Sequence, residues 1–331
     1  MGSYGKADTC ETMINFKKLK AAAKVEGEPS WLSILFDRSM KEPLLLEKAS
    51  EFFEPQPCRL FGSDADQKRI NEKLAKLYGK LGGVPDVLIM VKGSQPSGTY
   101  DDFTWYSVQE MISVFKRARS SLTKVHATFV TYWILHNGRK MIEGPMTDEH
   151  LTAFEPFILD DFWEHAETAY IRLASMWDRA GQLLDYVFFN IRQFERDGFP
   201  TVVDRIKINF AALDKDLEKT EFWNQIKQYA YREQVDGLKW LLRRRNLLVH
   251  SLHLGEQHSL KKEQMDLQYY FNHLDEATRN RLGAMKPEEE LAALHLHLTT
   301  FARLFEPLCD LCLWGVDLIA GMRKEKEWVF T

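Results

Sequence analysis

The sequence predicts a mainly α protein, in which a small irregular or α+β N-terminal region precedes a helical bundle. Apolar residues recur at three-and-four spacing in seven or more segments after residue 103. One credible strand, residues 87–91, lies before that point, bounded by Pro85 and Gly93. The chain has 331 residues and is 45% apolar, so it can bury a substantial core. We therefore divide it into residues 1–102, of unknown role, and a helical domain over 103–331.

The helices are predicted from apolar stripes and from residues that begin or end helices. Residues 64–81 form an amphipathic pattern whose stripe is Ile70, Leu74, Leu77 and Leu81. A loop over residues 93–102 follows, and a capped helix start is predicted at 147–149. The remaining predicted helices cover residues 16–24, 43–53, 104–136, 160–194, 202–219, 220–230, 232–254, 261–274, 275–282 and 286–324.

Composition limits the classes of partner and the cellular setting. A protein that coats nucleic acid with most of its surface would be basic, whereas this chain has a net charge of -4 and a pI near 6.2. Any contact with nucleic acid must therefore be local. The four cysteines form no disulfide framework, and we see neither a secretory signal nor the ~20-residue apolar run of a membrane span. We expect a cytoplasmic protein without membrane contact. Cys309-x-x-Cys312 has no second pair, so core packing is preferred there, and we expect no metal and no cofactor.

The segment 241–250, Leu-Leu-Arg-Arg-Arg-Asn-Leu-Leu-Val-His, carries the strongest candidate site. On a helical wheel for residues 232–254, the apolar stripe consists of Val235, Leu238, Leu242, Val249 and Leu252. Arg245 fills the gap in this stripe, where a leucine is expected. A buried arginine is costly unless it is paired, so Arg245 needs a carboxylate or a ligand anion. Asn246 and His250 lie one turn apart on the adjacent flank.

Two aspartates on a neighbouring helix are candidate partners for this arginine. Asp178 and Asp185 are seven residues apart and share one face, so either can pair with Arg245 or tune His250. An ordinary surface position for each aspartate stays open. Arg243 and Arg244 make the region locally basic, which suits binding to an RNA backbone, although a solvated basic face explains them equally well.

Arg245-Asn246-Leu247-Leu248-Val249-His250 resembles the Arg-polar-x3-His signature of the HEPN superfamily of all-α ribonucleases and nucleotide-binding proteins. The resemblance covers this helix and, more loosely, residues 103–325. It implies a metal-independent endoribonuclease that acts as a homodimer in toxin–antitoxin or antiviral defence, with an antitoxin as a partner. Some members are modified by a partner nucleotidyltransferase at a tyrosine two residues after the histidine, and Leu252 stands at that place here.

The residue types fit RNA cleavage. The imidazole of His250 is a side chain suited to acid/base work, and the Arg245 guanidinium can bind two phosphate oxygens and stabilise the charged transition state. Asn246 can orient the histidine or the phosphate. We therefore expect cleavage of single-stranded RNA through attack by the 2′-hydroxyl. The alternatives are an inactive HEPN-like protein that binds a nucleotide or RNA, a helical scaffold for protein partners, and a surface arginine cluster beside a core-edge histidine.

Overall fold

Seven α-helices account for most of the residues described by the computed structural model, which are 64–81, 103–137, 148–191, 198–211, 216–250, 253–255, 277 and 281–325. The helices are α1 (Asp64–Leu81), α2 (Phe103–Asn137), α3 (Asp148–Phe189), α4 (Phe199–Ile206), α5 (Glu221–Tyr231), α6 (Leu238–His250) and α7 (Pro287–Glu325). No strand occurs in these residues, so the protein is mainly α, as predicted. The predicted strand at 87–91, the boundary at 102/103, the helices before residue 54 and most of residues 261–282 lie outside the described residues.

Three long helices, α2, α3 and α7, form the centre of the bundle. The ring of Trp177 on α3 lies at the meeting point of four helices. Its centroid is 4.9 Å from that of Phe199, 4.8 Å from that of Tyr229 and 5.0 Å from that of Phe301. This aromatic cluster joins α3, α4, α5 and α7 into one core, and the described residues all belong to one compact unit.

Helix α1 confirms its predicted bounds and its predicted buried stripe of Ile70, Leu74, Leu77 and Leu81. A row of ion pairs ties it to α7. Arg69 Nε lies 2.6 Å from Glu306 Oε1, Lys73 Nζ lies 2.6 Å from Asp310 Oδ1, and Lys80 pairs with Asp317. The partners differ by a constant 237 residues, so the two helices run parallel in a fixed register.

Helix α3 joins the predicted start at 147–149 to the helix predicted from residue 160, and it ends earlier than predicted. It begins at Asp148 and passes through Pro156, which is exposed, so the missing N–H falls on the solvent side. It ends at Phe189 because Asn190 takes a left-handed conformation with φ 49°. The N–H of Asn190 donates to Tyr186 O at 2.9 Å, as it does in left-handed C-caps.

The helix predicted over 202–219 is wrong in its extent. Gly198 is the extended N-cap residue, Pro200 occupies the first turn, and α4 has already ended at Ile206. A π-helical turn, Lys207–Ala211, follows, and after the undescribed residues 212–215 a short 3-10 turn, Leu217–Lys219, leads into α5. A proline with fixed φ favours the first turn of a helix, which explains the early start.

A turn over residues 232–237 separates α5 from α6, whereas the sequence predicted one helix from 232 to 254. The N–H of Gly237 donates to Gln234 O at 2.8 Å, and the N–H of Lys239 donates to Arg232 O at 3.2 Å. Arg232 Nε also pairs with Asp236 Oδ1 at 2.6 Å. These contacts pair backbone and side-chain polar groups of the turn, and α6 begins only at Leu238.

Candidate functional site

Helix α6 carries the candidate motif and packs against α3 and α5. Its buried face contains Leu238, Leu241, Arg244 and Leu248, at steps of three, three and four. The predicted stripe is therefore wrong by one residue, and Arg244 rather than Arg245 stands in the core. Val249, which was assigned to the buried stripe, is 52% exposed.

Arg244 is completely buried, with 0% of its surface exposed. Its Nη2 forms an ion pair with Glu290, which is equally buried in the first turn of α7. Its Nη1 donates to Leu282 O at 3.1 Å and to Gly283 O at 2.7 Å. Because it has no access to solvent, Arg244 cannot contact an RNA backbone, which corrects the supporting role predicted for it.

Aromatic rings complete the surroundings of Arg244. Its guanidinium carbon lies 4.9 Å from the ring centroid of Tyr170 and 5.0 Å from that of Trp240, so both rings stabilise the buried cation. The hydroxyl of Tyr170 donates to Glu290 Oε2 at 2.5 Å. Trp240 stacks on the ring of His297, with centroids 5.7 Å apart and planes 12° apart. Burial lowers the pKa of His297 to about 4, so this histidine is neutral at pH 7.

Arg245 lies beside the buried face and is partly open to solvent. Its Nη2 lies 3.3 Å from Asp178 Oδ2 on α3, and the two side chains are 32% and 35% exposed. Burial raises the pKa of Asp178, and the nearby Arg245 and Arg179 oppose that rise. The Nε of Arg245 is buried and makes no hydrogen bond within the described part of the chain. Asp178 thus holds the guanidinium at the edge of the core, with donors left over.

Asn246 and His250 are exposed, and their spacing of four residues places them one turn apart on the same side of α6. Arg245 precedes Asn246 directly, so a cation, an amide and an imidazole occupy the C-terminal half of one helix. Cations are favoured in the last turn of a helix, where His250 stands. The three side chains are accessible from solvent rather than sealed in the bundle.

The chain beyond α6 is tied to α3 by Glu167. The N–H of Leu254 donates to Glu167 Oε1 at 2.5 Å, and His253 Nδ1 lies 3.4 Å from Glu167 Oε2. Arg245 meets α3 at Asp178, which is later in that helix, so α6 and α3 run antiparallel. These two contacts, on either side of His250 in sequence, fix the motif against α3.

Asp185 does not meet the motif. Its Oδ1 lies 2.5 Å from Arg205 Nη1, and the side chains of Asp185 and Arg205 are 7% and 19% exposed. The sequence suggested either Asp178 or Asp185 as the partner of Arg245, and only Asp178 makes that contact. Asp185 belongs instead to the packing of α4 on α3.

Arg243 is exposed, and its ion pair with a carboxylate is long. Its Nη1 and Nη2 each lie 3.5 Å from an oxygen of Glu233, whose other close cation is Lys239 at 3.4 Å. Both Arg243 and Lys239 stay substantially exposed. Of the two arginines predicted to bind RNA, Arg243 alone is available to a phosphate.

Sequence reasoning did not find Glu290 and Tyr170 as partners of the motif helix. Glu290 follows Pro287-Glu288-Glu289, and acidic residues in a first helical turn are ordinarily exposed. Tyr170 belongs to the apolar pattern of α3. The one available signal was Arg244 itself, a charged residue at three-residue steps from Leu238 and Leu241.

Cys309 and Cys312 are free and buried in α7, where burial raises the pKa of the Cys309 thiol to about 12. They pack in the core. No helix among those described has both the length and the apolar character needed to cross a membrane. Comparison of the chain with protein-family models, with curated proteins and with solved structures gives no match.

Proposed function

We propose that the protein is a metal-independent endoribonuclease of HEPN type that cleaves single-stranded RNA. One observation carries the proposal. Arg245, Asn246 and His250 all occupy the C-terminal half of α6 and are open to solvent, with Arg245 held by Asp178 at 3.3 Å. This group combines a phosphate-binding cation with an imidazole that can act as a general base.

The proposed reaction uses the nucleophile that RNA itself carries. His250 removes the proton of the 2′-hydroxyl, whose oxygen then forms a bond to the adjacent phosphorus. The bond from phosphorus to the 5′-oxygen breaks, and that oxygen takes up a proton. The products are a 2′,3′-cyclic phosphate and a free 5′-hydroxyl. The Arg245 guanidinium stabilises the added negative charge of the transition state, and Asn246 orients the phosphate. DNA lacks the 2′-hydroxyl and should not be cleaved.

The resemblance to the HEPN superfamily extends this proposal to a homodimer, in which the second His250 donates the proton to the 5′-oxygen. A toxin or antiviral defence system in the cytoplasm is the setting, with an antitoxin or a nucleotidyltransferase as a further partner. Sedimentation of the purified protein tests the dimer. A monomer that cleaves RNA at full rate would contradict the composite site.

The test of the activity is cleavage of labelled single-stranded RNA in EDTA by wild-type protein and by single variants. His250→Ala should lower the rate by about 10²–10⁴-fold and Arg245→Ala by about 10²–10³-fold, because each removes a group that acts in the transition state. His136→Ala and Arg117→Ala are matched controls, since both residues are exposed and lie on α2 rather than on the motif helix. These controls should lose no more than a few-fold in rate.

The ion pair between Arg245 and Asp178 favours a second candidate, a protein that binds RNA or a nucleotide without cutting it. In this alternative the carboxylate holds the cation in place permanently. RNA binding without cleavage would support this candidate and contradict the nuclease. Equal cleavage by wild type, His250→Ala and Arg245→Ala would mean that the activity does not come from this site. If RNA is neither bound nor cleaved, and both variants only lose stability, the motif is part of a scaffold.

A further inference from the structure

A cleft between α5 and α7 lies away from the motif residues and plays no part in the proposed reaction. Its volume is about 460 Å³. The turn over residues 232–237 closes one end. The lining residues from α5 and the turn are Gln225, Gln228, Tyr229, Arg232 and Asp236. Those from α7 are Leu296, Thr300, Arg303 and Leu304. Each helix contributes one face, since Gln225 lies three and four residues before Gln228 and Tyr229, and Thr300 lies three and four residues before Arg303 and Leu304.

The cleft carries a net positive charge. Arg232 Nε is compensated by Asp236 Oδ1 at 2.6 Å, although 42% of the Arg232 side chain stays exposed. Arg303 is exposed, and no carboxylate within the described residues forms an ion pair with it. The lining therefore holds two arginines against one aspartate. An anionic group that enters beside Arg303 gains a bidentate partner without displacing an existing ion pair.

The opposite wall supplies neutral polar groups. Gln228 is exposed, and Gln225 keeps its amide oxygen available while its Nε2 donates to Glu221 Oε1 at 2.8 Å. An amide presents both a donor and an acceptor in one plane, which is the pattern that the edge of a nucleobase offers. Thr300 is 5% exposed, so it belongs to the floor of the cleft.

Apolar side chains complete the lining. Leu304 is buried at the floor, and Leu296 is 40% exposed at the rim. Sites for small organic ligands generally have volumes of about 300–1,000 Å³ and combine apolar contact with a few directed polar groups. A cleft of about 460 Å³ is far larger than a phosphate ion needs, so its ligand has a body as well as an anionic group.

We propose that this cleft is a binding site for a nucleoside phosphate. The phosphate is bound by Arg303 with Arg232 beside it, the base edge by the amides of Gln225 and Gln228, and the ring face by Leu296. The site is distinct from the surface formed by Arg245, Asn246 and His250. It does not require that surface to cleave RNA.

The test is calorimetric titration of the full chain with AMP, GMP, CMP and UMP, beside adenosine, ribose 5-phosphate and inorganic phosphate. At least one nucleotide should bind at one site per chain, about tenfold or more tighter than inorganic phosphate and adenosine. Arg303→Gln should weaken that nucleotide by about tenfold or more, because the charged partner of the phosphate is lost. Arg117→Gln removes the same charge from an exposed position on α2 and should leave the affinity unchanged.

A second pair of variants separates the cleft from the motif. Gln228→Glu replaces an amide assigned to the base edge with a carboxylate and adds negative charge to a cleft for an anionic ligand, so it should weaken binding, whereas His250→Ala should not change it. Binding that is lost in His250→Ala and kept in Arg303→Gln would place the ligand at the motif and overturn the proposal. Inorganic phosphate or ribose 5-phosphate binding as tightly as every nucleotide would also overturn it, as would the absence of nucleotide binding at millimolar concentration.

Discussion

Arg244 and Arg245 are adjacent in the chain, yet their side chains meet different surroundings. Arg244 is sealed between α3, α6 and α7, where Glu290 neutralises it and two aromatic rings cover it. Arg245 stays at the surface beside Asp178. At the scale of single residues, Arg244 stabilises the fold and anchors α6, whereas Arg245 keeps part of its side chain exposed.

The sequence could not distinguish the two arginines, because each has apolar residues three positions before it and four positions after it. Leu241 and Leu248 lie on the face of Arg244, whereas Leu242 and Val249 lie on the face of Arg245. Two neighbouring apolar stripes therefore fit the pattern equally well. Glu290 selects between them, and it lies 46 residues further along the chain.

Replacing either member of the buried ion pair should be costly. Arg244→Leu and Glu290→Leu should each lower the free energy of unfolding by about 3–5 kcal/mol, because each leaves the other charge buried without its partner. The double variant should lose clearly less than the sum of the two, since no unpaired charge remains. Urea unfolding at pH 7 measures all three.

Arg243→Leu is the matched control, because Arg243 is an exposed neighbour on the same helix. It should change the free energy of unfolding by no more than about 0.5 kcal/mol. An Arg244→Leu variant as stable as Arg243→Leu would contradict the buried ion pair.

At the scale of elements, the point at which α6 begins determines which of its faces is buried. The spacing predicts Val235 as the first residue of its apolar stripe, but this residue lies in the turn before the helix. The turn brings the backbone of Gly237 close to Arg232, and a Cβ at residue 237 would lie 2.2 Å from Arg232 O. Only glycine fits there without moving the backbone, so this turn sets the direction in which α6 leaves α5.

Gly237→Ala should therefore destabilise the protein, by about 1–3 kcal/mol, because the methyl group meets a backbone carbonyl rather than the end of a flexible side chain. Thermal or urea unfolding of the variant gives the value.

Gly79→Ala serves as the comparison, since a Cβ there would have nothing within 4 Å. Alanine in a helix interior is better than glycine by about 0.5–1 kcal/mol, so this variant should be slightly more stable than wild type. Equal effects of the two substitutions would show that the turn tolerates a side chain at 237.

At the scale of the whole molecule, the ion pairs between α1 and α7 join helices that are far apart in sequence. Glu306 is central, because Arg69 and Lys73 both contact it, at 2.6 Å and 2.8 Å. The hydrogen bond from Arg69 is the main reason that the pKa of Glu306 falls to about 2, although partial burial opposes the shift. The charged carboxylate is thus favoured in the folded state.

This shift predicts how stability depends on pH. Since the folded-state pKa of about 2 lies below the ordinary value of 4.5, the contribution of Glu306 is complete above pH 4.5. It is lost as the pH falls from 4.5 through 2. Wild type should exceed Glu306→Gln in unfolding free energy by about 1 kcal/mol at pH 7, and the two should converge in acid.

Urea unfolding of both proteins across this pH range measures the effect. Glu72→Gln, which changes an exposed carboxylate on α1, is the control and should follow wild type at every pH. A difference between wild type and Glu306→Gln that stays constant down to pH 2 would contradict the contact with Arg69 and Lys73.

The sequence by itself determined much of the helical architecture. The bounds and the buried stripe of α1 follow from its spacing, and the extents of α2, α5 and α7 follow from theirs to within a few residues. It also singled out α6 as the helix that carries a cation, an amide and a histidine. These features are local, because helical periodicity and capping depend on residues a few positions apart.

Only the tertiary structure decided which of these polar residues are buried and which are accessible. It placed Arg244 in the core with Glu290, paired Asp178 with Arg245 and gave Asp185 to Arg205. It also formed the cleft between α5 and α7 from residues that no motif connects. A buried charge needs a partner of opposite charge, and that partner comes from whichever distant helix the packing brings near. Local periodicity carries no information about that choice.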